Sequence, residues 1–117
     1  MTNKAQAFFE SHPALQAAMK ERGGDIGRAF GPFFQGLMKQ GALTVREKEL
    51  VALGIGIAVR CEPCIFLHTK KALEAGAKPE EIMEVAGVAV MMGGGPAYTY
   101  APLVAQALDH LAGAKPA

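Results

Sequence analysis

The sequence predicts an all-α protein, a compact domain of about six helices, and three observations carry that prediction. No stretch alternates apolar and polar residues with period two between turn residues, as a half-buried strand would. Helix start and stop signals recur along the chain instead. Hydrophobic residues make up 50% of the composition, yet there is no Trp and aromatics are only 7%, so the interior is expected to be aliphatic, Ala, Gly and Met, which suits close-packed helices. A chain of 117 residues can bury about two-thirds of its unfolded surface and hold a core without staples.

The elements follow in order. Residues 2–10 and 13–22 read as two short helices parted at Ser11-His12-Pro13, because proline suits a helix's first turn and disfavours helical geometry just before it. Gly23-Gly24 ends the second. Asp25 is placed to cap a helix reaching about Lys39, with Ile26, Phe30, Phe33, Phe34, Leu37 and Met38 on or near one face and a kink at Pro32. Thr44-Val45-Arg46-Glu47 is a capping box. The helix it opens runs from 45 to about 59, and Gly54 and Gly56 in its uncharged second half permit close backbone approach. Pro63 fits the first turn of the next helix, which ends at Gly76 with Lys70, Lys71 and Glu74 facing water. Lys78-Pro79-Glu80-Glu81 starts another, acidic in its first turn as the helix dipole prefers, running to Met92. The last is expected from about Pro96 to Leu111.

Residues 85–108 carry no charge, a length sufficient to span a bilayer, but Gly93-Gly94-Gly95-Pro96 interrupts them, so two buried helices are expected and no membrane. Net charge is +1 and the longest basic run is Lys70-Lys71, which provides no phosphate-neutralising patch and argues against nucleic acid as a partner. Two cysteines do not make the disulfide framework of a small secreted scaffold. The start TNKAQAFFESHPALQ lacks the basic and apolar regions of a signal peptide, so the expected location is cytoplasmic.

The chemistry concentrates in RCEPCIFLH, residues 60–68. On a helix beginning near Cys61, Cys64 lies about 60° from Cys61 and His68 about 40° from Cys64, so all three share one stripe. Along the axis Cys61 and His68 are about 10 Å apart and Cys64 and His68 about 6 Å, so the histidine serves Cys64. Cys61 instead meets the unpaired amides of the first turn, which favour a thiolate. Two thiols at this spacing across a helix start can close a disulfide without moving the rest of the fold. Three readings compete: a redox dithiol, a zinc site, and a pair of packed small hydrophobes beside an ordinary histidine. Zinc needs a fourth ligand, for which only His12, His110 or a carboxylate is available. The redox dithiol is the reading adopted, with no metal and no cofactor. Read alone, Glu49 is one charge of the solvated face Arg46-Glu47-Lys48-Glu49.

Glu49, eleven residues, Cys61, two residues, Cys64, three residues and His68 reproduce a Glu-x11-Cys-x2-Cys-x3-His pattern. On these residues, with the TVREKE cap before the motif and the GAKPEEI turn after it, the chain resembles the alkylhydroperoxidase D-like branch of the carboxymuconolactone decarboxylase family. The resemblance implies a domain over residues 25–112, preceded by a helical extension at 1–24 and followed by a tail at 113–117. It also implies an all-helical homo-oligomer, a trimer or hexamer, and a peroxiredoxin-type hydroperoxide reductase. In that reading Glu49 and His68 form a proton relay to Cys61 and Cys64, the substrate is a small hydroperoxide, and the electron donor is an external dithiol or thioredoxin-like protein. One departure is Pro63, where the best-known peroxidase members carry a histidine; it favours the alternative of a disulfide-exchange adaptor or redox sensor. Decarboxylase members of the wider family lack the cysteine pair, and a helical module with a structural metal is a further alternative.

Straight-helix arithmetic puts Glu49 about 18 Å from Cys61 along the axis. A bend at Gly54-Ile55-Gly56, crossing helices, a bridging water or another subunit has to close that gap. His12 and His110 are expected at the surface, the Met91–Pro96 stretch as a packed turn, and Tyr98 and Tyr100 in core packing. Segment 85–108 is expected to supply much of a subunit contact.

Overall fold

The computed structural model describes residues 3–114, and these form six helices with no strand among them: α1 (Lys4–Arg22), α2 (Gly24–Met38), α3 (Val45–Ala58), α4 (Glu62–Glu74), α5 (Pro79–Tyr98) and α6 (Pro102–Ala114). Thr2, the first residue of the expected N-terminal helix, and residues 115–117 of the expected tail lie outside the described residues.

The core is built where α3, α4, α5 and α6 face one another. Leu53 and Ile57 from α3, Ile65 and Phe66 from α4, Ile82 from α5 and Val104 from α6 are fully buried. At the α3 start, the Thr44 and Glu47 capping box forms as the sequence predicts: the Thr44 amide donates to Glu47 Oε1 at 2.8 Å and the Glu47 amide to Thr44 Oγ1 at 3.1 Å. Arg46 reaches Glu81 at 2.9 Å and ties the start of α3 to that of α5.

The expected break at Pro13 is absent, and α1 runs through it as one helix. Proline leaves one helical hydrogen bond unmade, but packing on both sides of it outweighs the loss. Phe8 stacks on His12 (4.7 Å between centroids) and meets Phe66 (5.6 Å), while Phe9 stacks on His110 of α6 (5.7 Å). The two histidines expected at the surface are therefore half-buried packing partners. Asn3 caps α1 by accepting from the Ala5 amide (2.8 Å), and its Nδ2 donates to the Gln106 carbonyl (3.0 Å), fastening the start of α1 to α6.

Helix α2 starts one residue earlier than Asp25 predicts. Gly23 is its N-cap with no side-chain cap bond, and Asp25 sits inside the first turn, paired with Arg28. At Gly27 a Cβ would strike the carbonyl oxygen of Met19, so glycine is what lets α1 and α2 cross this closely. At its other end, Lys48 Nζ donates to the carbonyls of Leu37 and Lys39, each at 2.7 Å, a lysine of α3 closing off the exposed carbonyls of α2.

The glycine-rich break in the uncharged segment also differs from expectation. Gly94 adopts φ 73°, ψ −159°, which kinks α5 rather than ending it, and the helix resumes to Tyr98. The chain then turns at residues 99–101, where the Thr99 hydroxyl donates to the Pro96 carbonyl (2.7 Å). Glycine's freedom at positive φ absorbs the bend within one residue. Tyr100 packs against the core as expected, whereas Tyr98 is exposed. Among the described residues no helix is long and apolar enough to cross a membrane.

Candidate redox site

The turn from α3 to α4 creates the site. Arg60 takes a left-handed φ of 60°. The Arg60 amide donates to the Ile57 carbonyl (3.1 Å) and the Cys61 amide reaches back to that of Gly56 (2.9 Å), a reversal that satisfies the last carbonyls of α3. Cys61 is thereby both the last residue tied to α3 and the N-cap of α4. Its sulfur accepts from the Cys64 amide at 3.2 Å, so a first-turn donor is aimed at Sγ and favours negative charge there. Pro63, exposed in that first turn, has no amide to compete.

Cys61 and Cys64 are joined as a disulfide, with their Cα atoms 5.2 Å apart. Both are half-buried. Beneath Cys64 runs α3: a Cβ at Gly56 would lie only 3.0 Å from the Cys64 Cβ. The missing side chain therefore sets how closely α3 passes under the cysteine pair.

That crossing also brings Glu49 into the site. The residue that sequence alone places on a solvated face is only 4% exposed, and its Oε1 lies 2.7 Å from Nδ1 of His68. Of the four routes that could close the gap, crossing helices is the one the fold uses, with α3 unbroken at Gly54 and Gly56. Glu49 meets the histidine and not the sulfurs. An ionised carboxylate only accepts, so the shared proton sits on Nδ1 and leaves Nε2 of the neutral ring as a base. His68 stands four residues after Cys64 on α4; among the described residues no hydrogen bond joins its ring to either sulfur.

One member of this environment escapes the sequence reading. Phe34 stacks on His68, with centroids 6.2 Å apart and 24° between planes, and Lys71 Nζ lies 5.7 Å from the Phe34 centroid. Sequence assigns Phe34 only to the apolar face of α2; no spacing rule links it to residue 68. Among the described residues no group of three or more His, Cys, Asp or Glu side chains is arranged to hold a metal ion.

An all-helical fold with a CxxC disulfide capping one helix, beside a buried carboxylate-imidazole pair bridging two, defines the class. The chain belongs to the carboxymuconolactone decarboxylase family, whose model matches residues 24–107, and this agrees with the alkylhydroperoxidase D-like resemblance. A family protein from Legionella pneumophila, solved in its apo form, superposes with a TM-score of 0.85 at 29% identity, covering 93% of this chain and 97% of that one. Another family protein, from Thermotoga maritima, with a suggested part in antioxidative response, gives 0.82 at 27% identity over 92% and 91%. A Paracoccus denitrificans protein known as uncharacterized protein 4 in the cox locus is 36% identical over 107 residues, 89% of this chain and 96% of its own length.

Proposed function

We propose that the protein is a thiol-dependent hydroperoxide reductase cycling between a Cys61-Cys64 dithiol and disulfide. The observation that carries this reading is the buried Glu49-His68 bond at 2.7 Å, set on the same helix as a cysteine pair already within bonding distance. A carboxylate that fixes an imidazole's tautomer beside a nucleophile is the general logic of an activated thiol.

In the dithiol, His68 takes the Cys64 proton, with Glu49 orienting the ring and offsetting its charge. The Cys64 thiolate attacks the distal oxygen of ROOH; the O–O bond breaks, ROH leaves with a proton from His68, and Cys64 becomes a sulfenic acid. Cys61, deprotonated as it attacks, forms the S–S bond and water departs. An external dithiol then reduces the pair and is itself oxidised, so the sum is ROOH plus dithiol giving ROH, water and a disulfide. A reducing compartment such as the cytoplasm suits this cycle. The test is consumption of cumene hydroperoxide by the reduced protein with a dithiol donor, followed by mass spectrometry of the pair. Turnover that survives Cys64→Ser, or a pair that stays fully alkylatable after peroxide, rules the mechanism out.

A second reading, disulfide exchange with a partner protein and little peroxidase activity, is favoured by Pro63. It is exposed in the first turn beside half-buried Cys61, leaving an amide-free approach for an incoming dithiol. Slow peroxide turnover with fast exchange against a thioredoxin-like protein would select it.

The same proposal includes a homo-oligomer. Val51, Ile55 and Val59 on α3 and Val88, Met91 and Met92 on α5 are each 54–75% exposed, an apolar surface of the kind that marks association sites. Light scattering should give a multiple of 12.3 kDa, and Met92→Glu should lower it.

A further inference from the structure

A cavity of about 760 Å³ lies among α1, α2, α3 and α4, within the ~300–1,000 Å³ typical of small-molecule sites. Its long wall is the inner side of α2, with Ile26, Phe30, Phe34 and Met38, faced by Leu67 of α4. The charges along it are unevenly placed. At one end Gly27 packs on the backbone of Lys20, whose Cα would lie 3.5 Å from a Cβ at that glycine, and the exposed Lys20 side chain borders the opening. At the other, the buried carboxylate of Glu49 reaches the cavity wall beside Phe34, the ring that stacks on His68.

We infer that this cavity takes a long-chain carboxylate bearing a hydroperoxide, a fatty-acid hydroperoxide, with its carboxylate at Lys20 and its peroxide toward Phe34, Glu49 and His68. The inference rests on the redox reading above for the peroxide end only. The orientation follows from charge: a carboxylate placed near Glu49 meets like charge, whereas Lys20 attracts it in water. Lys71 does not compete for it, because its ammonium already lies over Phe34 at the Glu49 end. The separation follows from helix geometry. From Gly27 to Phe34 is seven steps of α2, about 10 Å at 1.5 Å per residue. An extended hydrocarbon zigzag of ~1.5 Å bonds covers that in about eight bonds, which places the hydroperoxide near the middle of a common fatty acid chain. The apolar side chains between the two ends bury the methylenes, each contributing about 0.8 kcal/mol when removed from water.

The experiment has two arms. In the first, linoleate is titrated by calorimetry into the wild-type protein and into Cys64→Ser, neither of which can turn it over. Binding to both is expected, with Lys20→Glu weakening it about tenfold and Phe30→Glu, at an exposed position on the apolar wall, abolishing it. Lys39→Glu, at the far end of α2, serves as the charge control and should leave the affinity within twofold. In the second arm, turnover of linoleate hydroperoxide is compared with that of uncharged cumene hydroperoxide; Lys20→Glu should raise KM for the former about tenfold relative to the latter, with kcat preserved. No linoleate binding overturns the inference, as does an equal effect of Lys20→Glu and Lys39→Glu. If a second copy of the chain fills the cavity, linoleate fails to bind the assembled form and the inference falls as well. Linoleate binding in a protein that reduces no hydroperoxide would leave the carboxylate site standing and remove the redox reading instead; cumene hydroperoxide turnover without linoleate binding would do the reverse.

Discussion

Helix α2 and the α3-α4 pair differ in how they are held. Helices α3 and α4 bury Leu53, Gly56, Ile57, Ile65, Phe66, Thr69 and Ala72 along with Glu49, whereas α2 buries no residue at all. Helix α3 opens with a reciprocal capping box; α2 opens on a glycine with no side-chain cap. Yet α2 carries the more regular apolar stripe, Ile26, Phe30, Phe33 and Leu37, each 56–62% exposed. An amphipathic pattern therefore tells that a helix has an apolar face, not that its own chain covers it. The positions that hold Glu49 against His68 are rigid, and the wall that Phe34 contributes belongs to the loosely held element.

The largest expected effect separates the two regions by stability. Leu53→Ala should destabilise the fold by about 2–5 kcal/mol, the cost of a cavity in a closed core, while Phe33→Ala should change it by less than about 0.5 kcal/mol. Chemical denaturation of both variants reads the contrast directly; a Phe33→Ala loss matching that of Leu53→Ala would mean that α2 is covered in an assembly.

Next comes the relay. Glu49→Gln can keep a hydrogen bond to Nδ1 but loses the charge, and peroxide reduction should fall by about 10²-fold, the low end for general acid-base assistance. His68→Ala should fall at least as far and should slow alkylation of reduced Cys64 more than that of Cys61. Phe34→Leu, changing only the loosely held wall, should cost less than either. Stopped-flow reduction of cumene hydroperoxide and timed alkylation with mass spectrometry check all three.

The smallest effects lie at the helix starts. Thr44→Ala should destabilise by about 1 kcal/mol, whereas Asp25→Ala, at a helix start with no cap bond, should be nearly neutral. The Thr44 amide, then its hydroxyl, holds the Glu47 carboxyl below its ordinary value of 4.5. A depressed folded value means that the stabilisation is fully present above about pH 4.5 and is lost as pH falls through the folded value. The penalty of Glu47→Gln should therefore be visible near neutral pH and vanish in acid, as thermal melts across that range will show.

What the sequence reveals tracks the range of the interaction. The Thr44 capping box and the placement of Pro63 depend on residues three apart or fewer, and both stand as read. Pro13 and Gly94 were misread as helix ends because their outcome is settled elsewhere, by Phe66 and His110 packing on α1 and by one glycine absorbing the α5 kink. Glu49 is the sharpest case: the family pattern names it and straight-helix arithmetic sends it away. The contact depends on Gly56 letting α3 pass under Cys64, a property of two helices together that no single window contains. Phe34 is illegible for the same reason, with no local signal for residue 68.

Arg60 gives the loop a tolerance profile of its own. A side-chain-bearing residue in the left-handed region costs roughly 1 kcal/mol that glycine or asparagine would largely avoid, while a β-branched residue there would be worse placed still. Arg60→Gly is thus an expected gain in stability at an exposed position, and Arg60→Val an expected loss. Lengthening is another matter: one residue added between Val59 and Cys61 would detach the Cys61 amide from Gly56 and turn α4 by about 100°, carrying His68 away from Glu49. Grafting this site into another helical hairpin therefore requires transplanting the loop at its present length, whatever residue occupies position 60.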